Sequence, residues 1–221
     1  MMSAANRLFS YFPLILTAAS FAALGVFSAW PSGWSALLLV FVLYLLPPMI
    51  LRIVYRWARL KHGVVAINSK SFCPWLASHH IQAFYDALPY LESLLRVIPG
   101  FYSAWLRMWG SRVGYGVEWP VRMDVLDRDQ MEIGNRVVFA REVELSAHVR
   151  RKTDGEGLRV LVRPPRIGSY AFVGAGARVG PGAVIPHNVS VPPLTVVDVN
   201  ATFGETRRHH PDRAEAEFAV S

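Results

Sequence analysis

Over residues 167–197 an apolar β-branched residue returns at every sixth position: Ile167, Val173, Val179, Ile185, Val191 and Val197. Neither the period of a helix nor the two-residue alternation of an ordinary strand produces that beat. Four positions after the first five anchors stand small or β-branched residues, Ala171, Ala177, Ala183, Val189 and Thr195. Glycine follows the first three anchors, at Gly168, Gly174 and Gly180. Such spacing predicts a triangular coil in which each hexad is one short flat strand with its anchor inward and glycine permits the tight corner. Ile133, Phe139 and Leu145 continue the frame upstream, which makes about four coils at three hexads each. Around Val113 and Trp119 the periodicity alone leaves the phase open.

Two irregularities interrupt the beat. Near residues 124–131 the phase slips by about two residues against the repeat template. Residues 149–159 form a charged excursion that contains Asp154-Gly155-Glu156-Gly157. Turn-rich insertions of this kind leave one corner of a solenoid and commonly build its binding face.

The chain is 52% apolar and only 18% charged, and the apolar excess sits at the front. Residues 8–30 and 34–51 carry no charged side chain and are separated by Pro31-Ser32-Gly33. Each is long enough to cross a hydrocarbon core of about 30 Å as a helix. A cleavable leader, with Arg7 as basic flank and Phe27-Ser28-Ala29 as cleavage site, accounts for the first stretch but not for a second so close behind it. Two spans are therefore expected. Arg7 precedes the first, and Arg52, Arg56, Arg59 and Lys61 follow the second, which places both ends in the cytoplasm. Pro47-Pro48 should kink or break the second span by removing backbone donors.

Charge divides the chain the same way. Residues 1–120 hold nine Lys or Arg against three Asp or Glu, and 121–221 hold fourteen against thirteen. A basic membrane-proximal half suits an anionic leaflet, and its interleaving with membrane-type sequence argues against nucleic acid as partner. All seven tryptophans lie at or before Trp119, with Trp30, Trp34 and Trp57 near the span ends, where indoles favour the interface. Helical spacing follows in Ala77, Ile81, Phe84 and Leu88 and again in Leu91, Leu94, Leu95 and Ile98. Beside two spans, these read as amphipathic helices in the plane of the interface. Cys73 is the single cysteine and excludes an internal disulfide.

The segment Ile167-Gly-Ser-Tyr-Ala-Phe-Val-Gly-Ala-Gly-Ala-Arg-Val-Gly-Pro-Gly-Ala-Val184 resembles the repeat core of the left-handed β-helix, or hexapeptide-repeat, acyltransferases. Trp105-Leu-Arg-Met-Trp-Gly-Ser-Arg-Val-Gly114 and Gln130-Met-Glu-Ile-Gly134 are similar to the membrane-associated branch of that family. The resemblance covers residues 98–200. Together with the two spans, which lie outside it, the resemblance gives an α+β membrane protein: two transmembrane helices in 1–60, amphipathic interfacial helices in 61–110, a left-handed parallel β-helix in 111–204 and a polar tail in 205–221. It also implies transfer of an acyl group from coenzyme A or an acyl-carrier protein to a hydroxyl or amine, with a histidine as general base. The expected assembly is a homotrimer. The anchor suggests a lipid-linked or membrane-associated acceptor at the bilayer, and a location in the cell inner membrane with the β-helix facing the cytoplasm.

Among the seven histidines, His148 in Leu145-Ser-Ala-His-Val149 stands just before the excursion, where the family places its base. An imidazole titrates near neutrality and suits that task. An orienting acid should stack about one coil upstream, and Asp127 and Asp129 both lie close to that position. Gly174, Ala175, Gly176 and Ala177 are candidates for a groove along which the pantetheine arm approaches backbone amides. Arg150, Arg151 and Lys152 are candidates for the donor's phosphates or an anionic head group, with Arg207 and Arg208 as weaker ones. The last hexads lack the glycines and the following lysine often seen in the soluble coenzyme A-binding branch, so the donor stays open between coenzyme A and carrier protein.

Two rivals share the coil. A carbonic anhydrase type needs three histidines converging on zinc, and His148 has only distant His187 near the required spacing, so no metal is expected. A non-catalytic scaffold that trimerises and recruits partners would keep the same hexads.

Overall fold

The computed structural model describes residues 3–67, 71–153 and 157–204. Asp154, Gly155, Glu156, the side chain of Lys152 and the tail 205–221 with Arg207 and Arg208 lie outside the described residues. The chain divides into two compact units, Met1–Leu60 with Ser69–Leu88, and Lys61–Asn68 with Pro89–Ser221. The expected block 61–110 is therefore divided between them.

The first unit is helical: α1 (Ala4–Phe9), α2 (Phe12–Ala29), α3 (Gly33–Val40), α4 (Leu46–Trp57) and α5 (Pro74–Ala87). Ala4–Ala29 and Gly33–Trp57 are long and apolar enough to cross a membrane. Ser32 and Ser35 open α3 with a reciprocal capping box, Ser35 N–H donating to Ser32 Oγ at 3.2 Å and Ser32 N–H to Ser35 Oγ at 3.0 Å. Pro47-Pro48 does not break the second stretch. A π-helical turn, Phe41–Leu45, leads into α4, and the Leu43 carbonyl, which lies four residues before Pro47, accepts from the Tyr85 hydroxyl at 2.6 Å. A side chain of a neighbouring helix thus satisfies the backbone group that proline orphans. That helix is α5, which packs on α1, α2 and α4 and buries Trp75, Ile81, Phe84 and Tyr85. Its apolar face is thus taken up by packing within the helical unit. Cys73 precedes it, buried, and burial raises its thiol pKa.

In the second unit, α6 (Tyr90–Val97) and α7 (Phe101–Trp109) precede a run of two-residue strands. These are β2 (Arg112–Val113), β3 (Asp124–Val125), β4 (Glu132–Ile133), β5 (Val138–Phe139), β6 (Glu144–Leu145), β9 (Arg166–Ile167), β10 (Phe172–Val173), β11 (Arg178–Val179), β12 (Val184–Ile185), β13 (Ser190–Val191) and β14 (Val196–Val197). They form three sheets, β12-β9-β4-β2, β13-β10-β5 and β14-β11-β6-β3, with every pairing parallel. The chain visits the three in strict rotation, so each turn of the coil adds one strand to each wall. Glu118 bridges Val138 and fills the place on the second wall that β2 and β3 leave between them. This settles the phase at the start: Val113, Trp119 and Val125 are consecutive anchors, and the Trp119 ring stacks on Phe139, the anchor of the next coil, at 5.0 Å. The core is a column of such anchors, with Leu145, Val173 and Val191 fully buried.

Corners are turned differently from the expectation. Positive φ falls three residues after most anchors, at Arg136, Glu142, Tyr170, Asn188, Leu194 and Asn200 as well as at Gly116, Gly176 and Gly182, and not after Trp119, Val125 or Leu145. Glycines directly after the anchors serve close approach instead. A Cβ on Gly168 would lie 2.5 Å from the backbone nitrogen of His187 in the next coil. Gly168→Ala is accordingly expected to force two coils apart at a cost of about 1–3 kcal/mol, read as a lowered midpoint in thermal or urea unfolding.

The excursion is a hairpin of β7 (His148–Thr153) and β8 (Gly157–Val162). β8 also pairs antiparallel with β1 (Gly63–Ala66), a strand in the segment for which only helices were expected. Val160, Leu161 and Val162 on the central strand are fully buried.

Candidate active site

Both irregularities of the hexad frame leave the coil at the same corner. Val113 pairs with Ile133 and Val125 with Leu145, whereas Ile167 pairs with Ile185 and Val179 with Val197. The first coil is therefore two residues longer than the last, and the surplus lies between β3 and β4. The hairpin lies between β6 and β9, one coil on. Since β3 pairs with β6 and β4 with β9, the short loop 126–131 and the hairpin stack. Stacking joins Asp127 to His148.

Nδ1 of His148 lies 2.9 Å from Oδ1 and 2.8 Å from Oδ2 of Asp127. Oδ2 also accepts from the Ala147 amide at 2.8 Å. The carboxylate is thus held by the backbone next to the histidine it orients. The His148 side chain is 13% exposed and that of Asp127 5%, so the pair is shielded from bulk water without being sealed. With Nδ1 against a carboxylate, the neutral ring carries its proton on Nδ1 and its lone pair on Nε2, the state a general base requires. Ser146 brackets the start of β7, its hydroxyl donating to the His148 carbonyl at 2.8 Å and accepting from the His148 amide at 3.2 Å.

The loop carrying Asp127 is anchored from two sides. Ser111 Oγ donates to the Arg128 carbonyl at 2.8 Å and accepts from the Met131 amide at 2.7 Å. The Arg128 side chain is buried and donates through Nε to Glu92 Oε1 at 2.7 Å, with a second contact from Nη2. Oε2 of Glu92 accepts from Tyr102 Oη at 2.6 Å and Arg96 Nη2 at 2.9 Å. Burial and, after it, the Glu92 charge push the Tyr102 phenol far above its ordinary pKa, so it remains a donor. Glu92, Arg96 and Arg128 carry no motif that marks them, and Ser111 lies in the Trp105–Gly114 stretch without being singled out by it. The one signal was scarcity: Glu92 is among only three acids before residue 121.

The other candidates fall as follows. Asp129 is buried two residues beyond Asp127, and its carbonyl packs 3.3 Å from where a Cβ on Gly110 would be. Arg150 and Arg151 extend along β7 from His148 and are exposed, Arg150 on the same strand face as the histidine. Gly174, Ala175, Gly176 and Ala177 occupy a different corner, between β10 and β11. The amides of Gly174, Gly176 and Ala177 donate to the carbonyls of Val191, Arg141 and Gly174, respectively. The first two bonds knit neighbouring coils together, and the third closes the turn itself. His187 Nδ1 accepts from the Ser169 amide at 2.9 Å, one coil before it, as part of the wall.

No family model and no curated protein sequence matches the chain. Among solved structures it is similar to a maltose O-acetyltransferase from Clostridium difficile 630, at 19% identity and a TM-score of 0.41 over 52% of this chain and 76% of that one. It is also similar to the apoenzyme of soybean serine acetyltransferase, at 19% identity and a TM-score of 0.24 over 82% of this chain and 65% of that one. Serine acetyltransferase isoform 3 from Entamoeba histolytica, in complex with cysteine, matches at 12% identity and a TM-score of 0.23, over 81% of this chain and 77% of that one. These neighbours are acetyltransferases. At such scores the functional reading rests on the residues of this chain.

Proposed function

We propose that this chain is a membrane-anchored acyltransferase that moves an acyl group, acetyl or longer, from a thioester of coenzyme A or a carrier protein to a hydroxyl or amine of a membrane-associated acceptor. The observation that carries the reading is the His148–Asp127 pair, at the one corner where the coil departs from its repeat twice in succession. Nε2 takes the acceptor proton as the acceptor's oxygen or nitrogen attacks the thioester carbonyl. The tetrahedral intermediate then expels the thiolate, which recovers the proton from the imidazolium. The developing oxyanion needs a donor, a task for backbone amides of a neighbouring coil or subunit.

Membrane anchoring draws on the exterior of the two long helices, where Leu14, Phe21 and Leu37 are each 60% exposed or more. Apolar side chains facing outward along two spans suit a lipid solvent. The outer face of α6 repeats the pattern: Tyr90, Leu94 and Val97 point out while Glu92 is buried. A helix that turns its charge inward and its apolar residues outward suits an interface with lipid. The left-handed sense of the coil and the homotrimer follow from the family resemblance, and the cytoplasmic face from Arg7 before the first span and Arg52, Arg56, Arg59 and Lys61 after the second.

Membranes carrying the protein should release free thiol from an acyl-coenzyme A or acyl-carrier-protein panel in an acceptor-dependent manner. Absence of release across the panel would favour the scaffold alternative. Arg150→Glu combined with Arg151→Glu is expected to raise the KM for a coenzyme A donor about tenfold with kcat little changed, by removing phosphate contacts. Steady-state kinetics on the two donor types check this, because a carrier-protein donor that lacks the nucleotide phosphates should respond differently.

A further inference from the structure

The sheet that carries His148 is closed by a strand from outside the coil. β8 runs between β7 and β1, and the ladder rows are in register across all three strands: His148 faces Val162 and Val162 faces Gly63, while Arg150 faces Val160 and Val160 faces Val65. Among the described residues no strand of the coil pairs with β8. The edge that β7 leaves open is taken by β1. Only residues 58–62 separate β1 from the end of α4, so the segment that completes the sheet is the one by which the chain leaves its second membrane-length stretch.

Hydrogen bonds divide β8 between its two neighbours. Arg163 N–H donates to the Ala147 carbonyl at 2.8 Å, and Ile67 N–H donates to the Leu158 carbonyl at 3.1 Å. Antiparallel alternation then turns the polar backbone groups of Leu161 toward β7, and those of Val160 and Val162 toward Val65 and Gly63. The Ala147 amide donates to Asp127 Oδ2 at 2.8 Å, so the residue before the base is gripped by the acid on one side and by β8 on the other. Val160 and Val162 are fully buried. Without β1 their N–H and C=O groups would be buried and orphaned, and β8 would have to shift or open. Gly63 starts β1 at φ 106° with nothing within 4 Å of a would-be Cβ, so glycine stands there for the bend alone. That bend brings Gly63 into the row of His148, about 10 Å away across two strand spacings.

We propose that β1 is the positioning strand of the general base: Gly63 and Val65 hold β8, and β8 holds the backbone on either side of His148, which fixes where Nε2 meets the acceptor. The inference rests on His148 being the base of the proposed transfer. Gly63 and Val65 are positioning residues that act through β8. Misplacing a catalytic group by about 1 Å can cost about a hundredfold in rate. A loosened β8 should therefore show in kcat and not in the KM for the donor.

Two adjacent valines supply the test. The Val65 N–H points at β8 and the Val64 N–H away from it, and an edge strand tolerates proline only where the missing N–H faces outward. In the full chain in detergent, Val65→Pro should lower kcat about tenfold with the donor KM changed by less than about twofold. Val64→Pro and Val65→Ala keep every ladder bond and should turn over like the unaltered protein. Hydrogen–deuterium exchange reads the same bond without turnover: the peptide 148–153 should exchange about tenfold faster in Val65→Pro than in the other two. If Val65→Pro loses its folded circular dichroism, Gly63→Ala takes its place. It has room for its Cβ and strains only φ, and kcat should fall about threefold. A kcat for Val65→Pro equal to that of Val64→Pro, or equal exchange in the two, overturns the proposal. Should the unaltered protein release no thiol, the acyl-transfer reading fails by itself. Faster exchange in Val65→Pro then upholds the grip of β1 on the hairpin, and equal exchange overturns it.

Discussion

His148→Ala is expected to lower acceptor-dependent thioester turnover by about 10²–10⁴-fold, the usual contribution of a positioned general base. The loss should fall on kcat, since the imidazole acts on the proton that moves in the transition state and holds little of either substrate in the ground state. The fold should tolerate the change: His148 heads a hairpin whose buried residues are Val160, Leu161 and Val162, and the inner column of anchors is untouched. Asp127→Asn is the sharper companion. It keeps the shape and one acceptor oxygen, yet an amide facing Nδ1 favours the wrong tautomer and leaves Nε2 protonated. A drop close to that of His148→Ala is expected, and the double variant should be little worse than either single one. Turnover of His148→Ala equal to that of the unaltered protein would sink the mechanism.

The second large effect is on stability. Glu92→Leu should destabilise the second unit by about 3–5 kcal/mol, the cost of breaking a buried charge pair by removing one partner. Arg96 and Arg128 would be left with side chains only 3% and 4% exposed and without their shared carboxylate. Circular dichroism melts should show a midpoint lower by on the order of 10 °C. Arg128 lies between Asp127 and Asp129, so the released loop should also lose its grip on His148. Activity should therefore fall further than the melting curve alone explains when both are measured well below the transition. A milder Glu92→Gln keeps the side-chain shape and one acceptor oxygen but turns an NH2 group toward donors, and should fall between.

These two outcomes differ in how far the underlying residues could be read in advance. The inner column of the coil follows from a six-residue beat because each anchor's burial is decided by its own place in a repeating local pattern. His148 and the excursion after it were visible as a break in that beat. The choice between Asp127 and Asp129 was not visible, because a one-coil spacing of eighteen holds only where the frame is regular, and the pair is 21 residues apart. The two extra residues of the first coil lie in the loop that carries the acid, and only pairing of β3 with β6 shows how that surplus is absorbed. The corner-turning positions were misassigned for a related reason. Glycine suits a positive φ, but here it stands where the next coil's backbone comes within 2.5 Å of a would-be Cβ, a contact between residues about a coil apart.

The sequence by itself determined a parallel coil of hexads preceded by two apolar stretches of spanning length, since local periodicity and hydropathy suffice for both. Tertiary structure alone decided which acid meets His148, that α5 packs within the helical unit, that β1 completes the sheet of the excursion, and that Glu92 gathers Arg96, Arg128 and Tyr102 under the loop. Each of these is a contact between groups distant in sequence with no repeat to register them, and hydrogen-bond geometry and burial select it only once the chain has closed into coils.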